Sequence, residues 1–342
     1  MSSMVRELLR TKEKLTEQLV IAFAQAKDMV RSSMAGELLV TAKEKLTGRL
    51  VIAFSPVKDI AMSSIVGELL VTTREKLTGQ LVIARGSQRQ WLPILAILVA
   101  ITITEWVFAY QNVAYGIGLA LFVAIGIYIL VSTTRLSQPI TDSAESLALI
   151  PLYILFTSSL PWFFMDQQYL LPAVYSIILA LCLWHIYQKK LNLAELGFKK
   201  DKWRKYVLMG IAIAIPLGVI EYFILYPAPA FPTFEVKYLF HDIAYMVFFV
   251  GLGEELLFRG LVQRDLMKAF GWKWGLILAS LMFAVMHLTW RSLPELAFVF
   301  FAGLAFGYLY YRTKSLMAPI VAHGIGNVML VAVMPYLFTQ GH

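Results

Sequence analysis

Apolar and polar positions divide this chain into two unlike parts. From Trp91 to Phe338 the apolar residues run in long blocks, and charged or turn-forming residues are confined to the gaps. A helix of about 20 mostly apolar residues is long enough to cross a bilayer. Stretches near 91–110, 114–133, 145–165, 168–187, 204–226, 238–258, 274–290, 294–311 and 315–338 have that length. Between them fall Pro139, Asp166, the basic run from Lys189 to Lys205, Pro227 to Pro232, Lys273, Pro294 and Arg312. Only helices and closed barrels satisfy their backbone in hydrocarbon, and runs this long are not barrel strands. The predicted class is all-α: a polytopic helical membrane bundle of about 8–9 transmembrane helices, preceded by an N-terminal helical repeat arm.

That arm, residues 1–90, carries tandem units. "SSMVRELLRTKEKLTEQLVIAFAQAKDMVR" is followed by "SSMAGELLVTAKEKLTGRLVIAFSPVKDIAM" and "SSIVGELLVTTREKLTGQLVIARG", a period of 30 to 31 residues. Periods of that size point to helical repeats, and Leu39, Leu46, Leu50 and Ala53 fall at helix-compatible spacings. The units lack the Trp, Gly or Pro signature of a known helical repeat. Their near-identity suggests recent tandem duplication, or a start codon placed too far upstream. The arm reads as helical and dispensable; an amphipathic arm on the membrane surface or a partner and a disordered segment are the alternatives. No catalytic candidate lies in it. Residues 1–85 also lack the basic-then-apolar pattern of a cleavable signal peptide, so the first span is expected to act as the insertion signal.

Composition agrees with the pattern: hydrophobic residues are 59% of 342 and charged residues 15%, against about 45–50% and about 25% in soluble domains. The net charge of +8 would suggest nucleic acid until it is located. On the side shared with the N-terminus lie Arg135, Lys189, Lys190, Lys199, Lys200, Lys202, Arg204, Lys205, Arg259, Arg264, Lys268, Lys273, Arg312 and Lys314. The other side has Lys237 and Arg291. Such asymmetry places the basic side in the cytoplasm, so the charge reflects topology and no nucleic-acid partner is expected. The single Cys182 lies in an apolar stretch and gives no disulfide framework.

An ionisable residue at membrane depth is costly and marks function by default. Three clusters meet that description: Glu254 and Glu255 with Arg259, Phe283 with His287, and His323 with Asn327. In each, a spacing of four puts the pair on one helix face. At about 1.5 Å per residue, Glu254 and His287 lie roughly 20 Å and His323 roughly 13 Å from the basic side. A carboxylate and a neutral imidazole can deprotonate water, and a second His with an Asn can donate to an oxyanion. No serine or cysteine stands beside a base, so attack by water is the expected mechanism. Arg259 would pair with Glu255, since an unpaired buried guanidinium is expensive, leaving Glu254 for chemistry. His185 and His241 read as hydrogen-bonded structural histidines. A proton or ion pathway would also account for buried Glu and His, and spacing alone does not separate enzyme from transporter.

The three motifs "EELLFR" (254–259), "FAVMH" (283–287) and "HGIGN" (323–327) occur in that order. They are joined by "FFAGLAFGYLYYRTKSLMAPIVAHGIGN" (300–327). Together they resemble the CPBP intramembrane proteases, the group that includes CAAX prenyl endoproteases of the Rce1 type and bacterial Abi proteins. The resemblance covers roughly 240–335; the earlier spans match only as hydrophobic sequence. It implies a catalytic core over 236–338 behind N-terminal transmembrane helices over 91–235. It also implies Glu254 as general base with His287 holding the water, and His323 with Asn327 as oxyanion hole. Glu255 and Arg259 would be an orienting pair and Phe283 would shape the pocket. All six polar motif positions are intact. The family is often labelled a metalloprotease, and were zinc bound, Glu254, His287 and His323 would be its ligands. No HExxH motif exists here and a Glu–His pair needs no metal, so no cofactor is favoured. The expected partner is a peptide or membrane-protein substrate, of which a prenylated CAAX tail is one candidate, at a cell membrane, or at the endoplasmic reticulum in a eukaryote.

Overall fold

The structure, a computed structural model, describes residues 91–160, 167–199, 201–229 and 233–338. The repeats of residues 1–90, and every expectation attached to them, lie outside the described residues. Among the described residues all regular elements are helical, and eight helical runs are long and apolar enough to cross a membrane. They are α1 (Trp91–Gln111), α2 (Val113–Thr133), α3 (Gln138–Ser158), α4 (Gln167–Gln188), α5 (Trp203–Leu225), α6 (Val236–Trp290), α7 (Leu293–Thr313) and α8 (Met317–Phe338). The nine expected stretches become eight runs because the sixth and seventh are joined within α6.

That junction is Gly271, whose φ of 81° and ψ of 166° lie where only glycine sits without a Cβ penalty. The chain reverses there. Phe258 and Phe283, at nearly equal distances along the chain from Gly271, meet edge to face at 5.1 Å between ring centroids. The 55-residue run is therefore a helical hairpin whose two limbs bring the first two motifs together.

A second departure concerns α3, expected over 145–165 and found over Gln138–Ser158. Pro139 sits in its first turn, where the missing N–H costs nothing. Asp142 and Glu145, one turn apart inside the helix, are neutralised by Lys189 at the end of α4. Partial burial pulls the Lys189 ammonium down, and hydrogen bonds to Glu145 and Asp142 more than offset it, leaving it above the usual lysine range.

The two ends of the bundle are identified by contacts. Trp91 stacks on Phe270 at 4.0 Å and meets Trp274 edge-on at 5.5 Å, while Trp272 stacks on Tyr311. The N-terminus of α1, the Gly271 turn and the α7–α8 link thus share one end. Arg291, at the α6–α7 link, donates to the carbonyl of Ala109 near the far end of α1 at 2.9 Å. In α5, Gly210, Ala214, Gly218 and Tyr222 recur every four residues and are buried. A Cβ on Gly210 would lie 2.7 Å from the Ala318 carbonyl, and one on Gly218 would lie 2.5 Å from that of Gly326. Small residues at this spacing let backbones touch. On its other side α8 is equally close to α6: a Cβ on Gly324 would come 2.6 Å from the Cα of Val247. His323 is carried on a helix clamped between two others.

Candidate active site

Glu254 and Glu255 lie in a four-residue α-helical turn, Leu252–Glu255, between two π-helical stretches, Met246–Gly251 and Leu256–Gln263. Such wide turns recur at functional sites because they re-aim the side chains that follow. Glu255 is fully buried, and its Oε1 accepts from Arg259 Nη1 at 2.6 Å and from His323 Nδ1 at 2.9 Å. Arg259 is only 1% exposed. Its Nη2 donates to the Gly303 carbonyl at 3.1 Å, and its guanidinium lies 4.3 Å from the ring of Phe283 and 5.5 Å from that of Phe306. Arg259 therefore belongs to the interior, and the expectation that counted it among the charges of a loop is corrected. Burial of the charge is tolerated because a carboxylate, a carbonyl and two aromatic faces surround it.

Gln263, one turn later, repeats the device by donating to the Gly307 carbonyl at 2.9 Å. A Cβ on Gly307 would be 2.5 Å from Gln263 Oε1. The small residues four apart in the linker are thus the landing sites of two polar side chains from α6.

His323 is fixed from both sides. Its Nδ1 must donate to Glu255, because that oxygen already accepts from Arg259, and its ring stacks on Phe306 and meets Phe283 edge-on. Nε2 is left facing Glu254 Oε2 at 3.8 Å. His287 closes the second limb of α6 half-buried. Its Nδ1 donates to the Phe283 carbonyl at 2.9 Å, so Nε2 is again the nitrogen presented. Phe283 touches both imidazoles, and His287 lies within electrostatic range of Glu254, His323 and Arg259. Asn327, one turn after His323 on the same helix, is half-buried. Glu254, Glu255, Arg259, Phe283, His287 and His323 are thus one cluster, with Asn327 on the His323 helix. His185 sits instead beside the charges of Lys189, Arg264 and Asp142, and His241 stacks on Tyr245.

Several residues were missed. Tyr175 on α4 donates to Glu254 Oε1 at 2.9 Å; one tyrosine among sixteen carries no sequence signal for that. Glu221 on α5 and Glu295 on α7 bring their carboxyl groups into interaction range of each other, and Glu221 is within electrostatic range of Glu254. Glu105 on α1 is buried, and Tyr153 lies within electrostatic range of both it and Glu254. Glu105 and Glu221 met the criterion of charge at membrane depth but have only apolar residues four positions away; Glu295, in the first turn of α7, has Arg291 there. For zinc, among the described residues no three His, Cys, Asp or Glu side chains are grouped as a metal ion needs. Glu254, His287 and His323 do not fit a three-ligand site as they stand.

Residues 237–329 match the family described as type II CAAX prenyl endopeptidase Rce1-like. No curated protein and no solved structure matches the chain. The matched segment spans both limbs of α6, all of α7 and α8 as far as two residues beyond Asn327, so it contains every motif residue of the cluster. This region is an Rce1-like domain of a multi-pass membrane protein, and the class it defines is the CAAX-type intramembrane endopeptidase.

Proposed function

We propose that this protease hydrolyses its peptide bond with a water activated by Glu254 and His287. The observation that carries the reading is Glu254 Oε2, which is buried, has no hydrogen-bond partner among the described residues, and lies 3.8 Å from His323 Nε2. Its neighbour Glu255 is held by Arg259 and His323, so Glu254 is the carboxylate left for chemistry. A water molecule is held by Glu254 Oε2 and the lone pair of His287 Nε2. Its proton passes to Glu254 as its oxygen bonds to the scissile carbonyl carbon. The carbonyl oxygen takes the negative charge and accepts from Asn327 and from His323 Nε2, which donates only as an imidazolium, since Nδ1 is committed to Glu255. Collapse re-forms the carbonyl and breaks the C–N bond, and the proton on Glu254 moves to the leaving nitrogen. The basic end of the bundle faces the cytoplasm. The substrate is a peptide or membrane protein cut near the bilayer, a prenylated CAAX tail being the first to try.

One observation favours a zinc-dependent version. Both imidazoles are anchored through Nδ1, to a carbonyl and a carboxylate, and both present Nε2, as metal-ligating histidines do. The experiment is elemental analysis of purified protein together with cleavage after prolonged chelation. The proposal expects well below one zinc per chain and unchanged cleavage. Stoichiometric zinc, with activity lost on chelation and restored by zinc, overturns it.

A further inference from the structure

Among the described residues, the one hydrogen-bond donor to the Glu254 carboxylate is Tyr175 Oη, 2.9 Å from Oε1. Tyr175 lies on α4, outside the segment that matches the family. We infer that Tyr175 is the positioning residue for the base: it holds Oε1 and thereby selects Oε2 as the oxygen that takes the proton from water. The inference rests on Glu254 being the base.

A glutamate carboxylate turns about its last torsion in a broad, two-fold well, so an unrestrained Glu254 would present its two oxygens interchangeably. A phenol donating to Oε1 removes that equivalence, because a donor aimed at one oxygen fixes the plane of the group. The phenol is itself seated. A Cβ added to Gly253 would meet Tyr175 Cδ1 at 3.5 Å, the Tyr175 carbonyl at 3.7 Å and Ile178 Cγ2 at 3.8 Å. The residue before Glu254 thus lies against the Tyr175 ring and against Ile178, which is 3% exposed in the core. Tyrosine suits the task because its rigid ring has only two side-chain torsions to fix. With Oε1 occupied, Oε2 is buried, unpartnered and 3.8 Å from His323 Nε2. The Tyr175 phenol therefore sets the aim of the base from α4, although α4 contributes no group that touches the reacting atoms.

The test uses the full chain and a quenched-fluorescence peptide spanning a cleavage site found by comparing terminal peptides of cells with and without the protein. Tyr175→Phe keeps the ring and removes only the donor. Misplacement of a catalytic group by about 1 Å costs up to about 10²-fold, so kcat should fall about 10-fold or more. KM should stay within about twofold, and the melting temperature in detergent within about 2 °C. In a Glu254→Asp background, where the shorter side chain has already withdrawn from the phenol, Tyr175→Phe should cost less than about twofold. Ile178→Ala, which weakens the same helix contact but spares the donor, should lower the melting temperature and leave kcat of the folded protein near wild type. Unchanged kcat in Tyr175→Phe overturns the inference, and so does an equal loss in both backgrounds or a loss that follows the melting temperature. The two readings fail separately: cleavage surviving in Glu254→Gln removes the base itself, whereas cleavage lost there but untouched in Tyr175→Phe removes only the role of Tyr175.

Discussion

Removing Arg259 or its partner Glu255 should destabilise this protein more than any other single truncation of a charged side chain described above. Arg259→Ala deletes a 2.6 Å ion pair to Glu255, a 3.1 Å hydrogen bond to the Gly303 carbonyl, and a guanidinium packed on Phe283 and Phe306. Breaking a buried pair by deleting one partner costs about 3–5 kcal/mol, and the lost ring contacts add about 0.5–2 kcal/mol. Glu255 would then keep only His323 as a donor. Glu255→Ala should cost a similar amount, because Arg259 would be left buried against a carbonyl and two rings. Each single variant should lower the melting temperature in detergent by on the order of 10 °C. The double alanine leaves no uncompensated charge and should be milder than the sum by about 2 kcal/mol. Turnover should not return with stability, because Glu255 Oε1 is also the acceptor for His323 Nδ1 at 2.9 Å. Strict additivity, or single variants that melt with wild type, would refute the reasoning. So would a double variant that recovers full activity.

Three further outcomes follow from the same contacts. Asn327→Ala should lower kcat about 10²–10³-fold with little change in melting temperature, as loss of an oxyanion donor does; a steady-state assay checks it. Lys189→Ala should cost no more than about 1 kcal/mol, because its pairs with Asp142 and Glu145 are partly solvated, and thermal melting beside Arg259→Ala measures the contrast. Gly324→Ala would set a Cβ 2.6 Å from the Cα of Val247, backbone that cannot rotate away; it should cost about 1–3 kcal/mol and displace His323, read as lower melting temperature and lower activity together.

The helical class and the three motifs were legible because both are written locally, in block length and in spacings of four. The junction in α6 was not: nothing in "FGWKWG" separates a loop from a one-residue reversal at Gly271, and the distinction rests on a φ of 81°. The start of α3 was hidden because Asp142 and Glu145 read as loop charges, and their pairing with Lys189 at the end of α4 is a contact between residues far apart in sequence. Arg259 was legible as the partner of Glu255 but was also counted with the cytoplasmic charges, because sequence does not show the Gly303 carbonyl and Phe306 ring on α7 that surround it. Tyr175 was beyond reach for the same reason, its meaning lying 79 residues away at Glu254.

Glu254 is the residue on which the proposed chemistry turns. Membranes from cells making the wild-type protein should yield new peptide termini that disappear when Glu254 is replaced by Gln, a change that keeps the shape of the side chain and removes its capacity to take a proton. The variant should accumulate in the membrane and melt close to wild type, because Tyr175 can still donate to its carbonyl oxygen. Loss of those termini with the fold intact is the result predicted here. The same termini appearing at the wild-type rate from Glu254→Gln would contradict it.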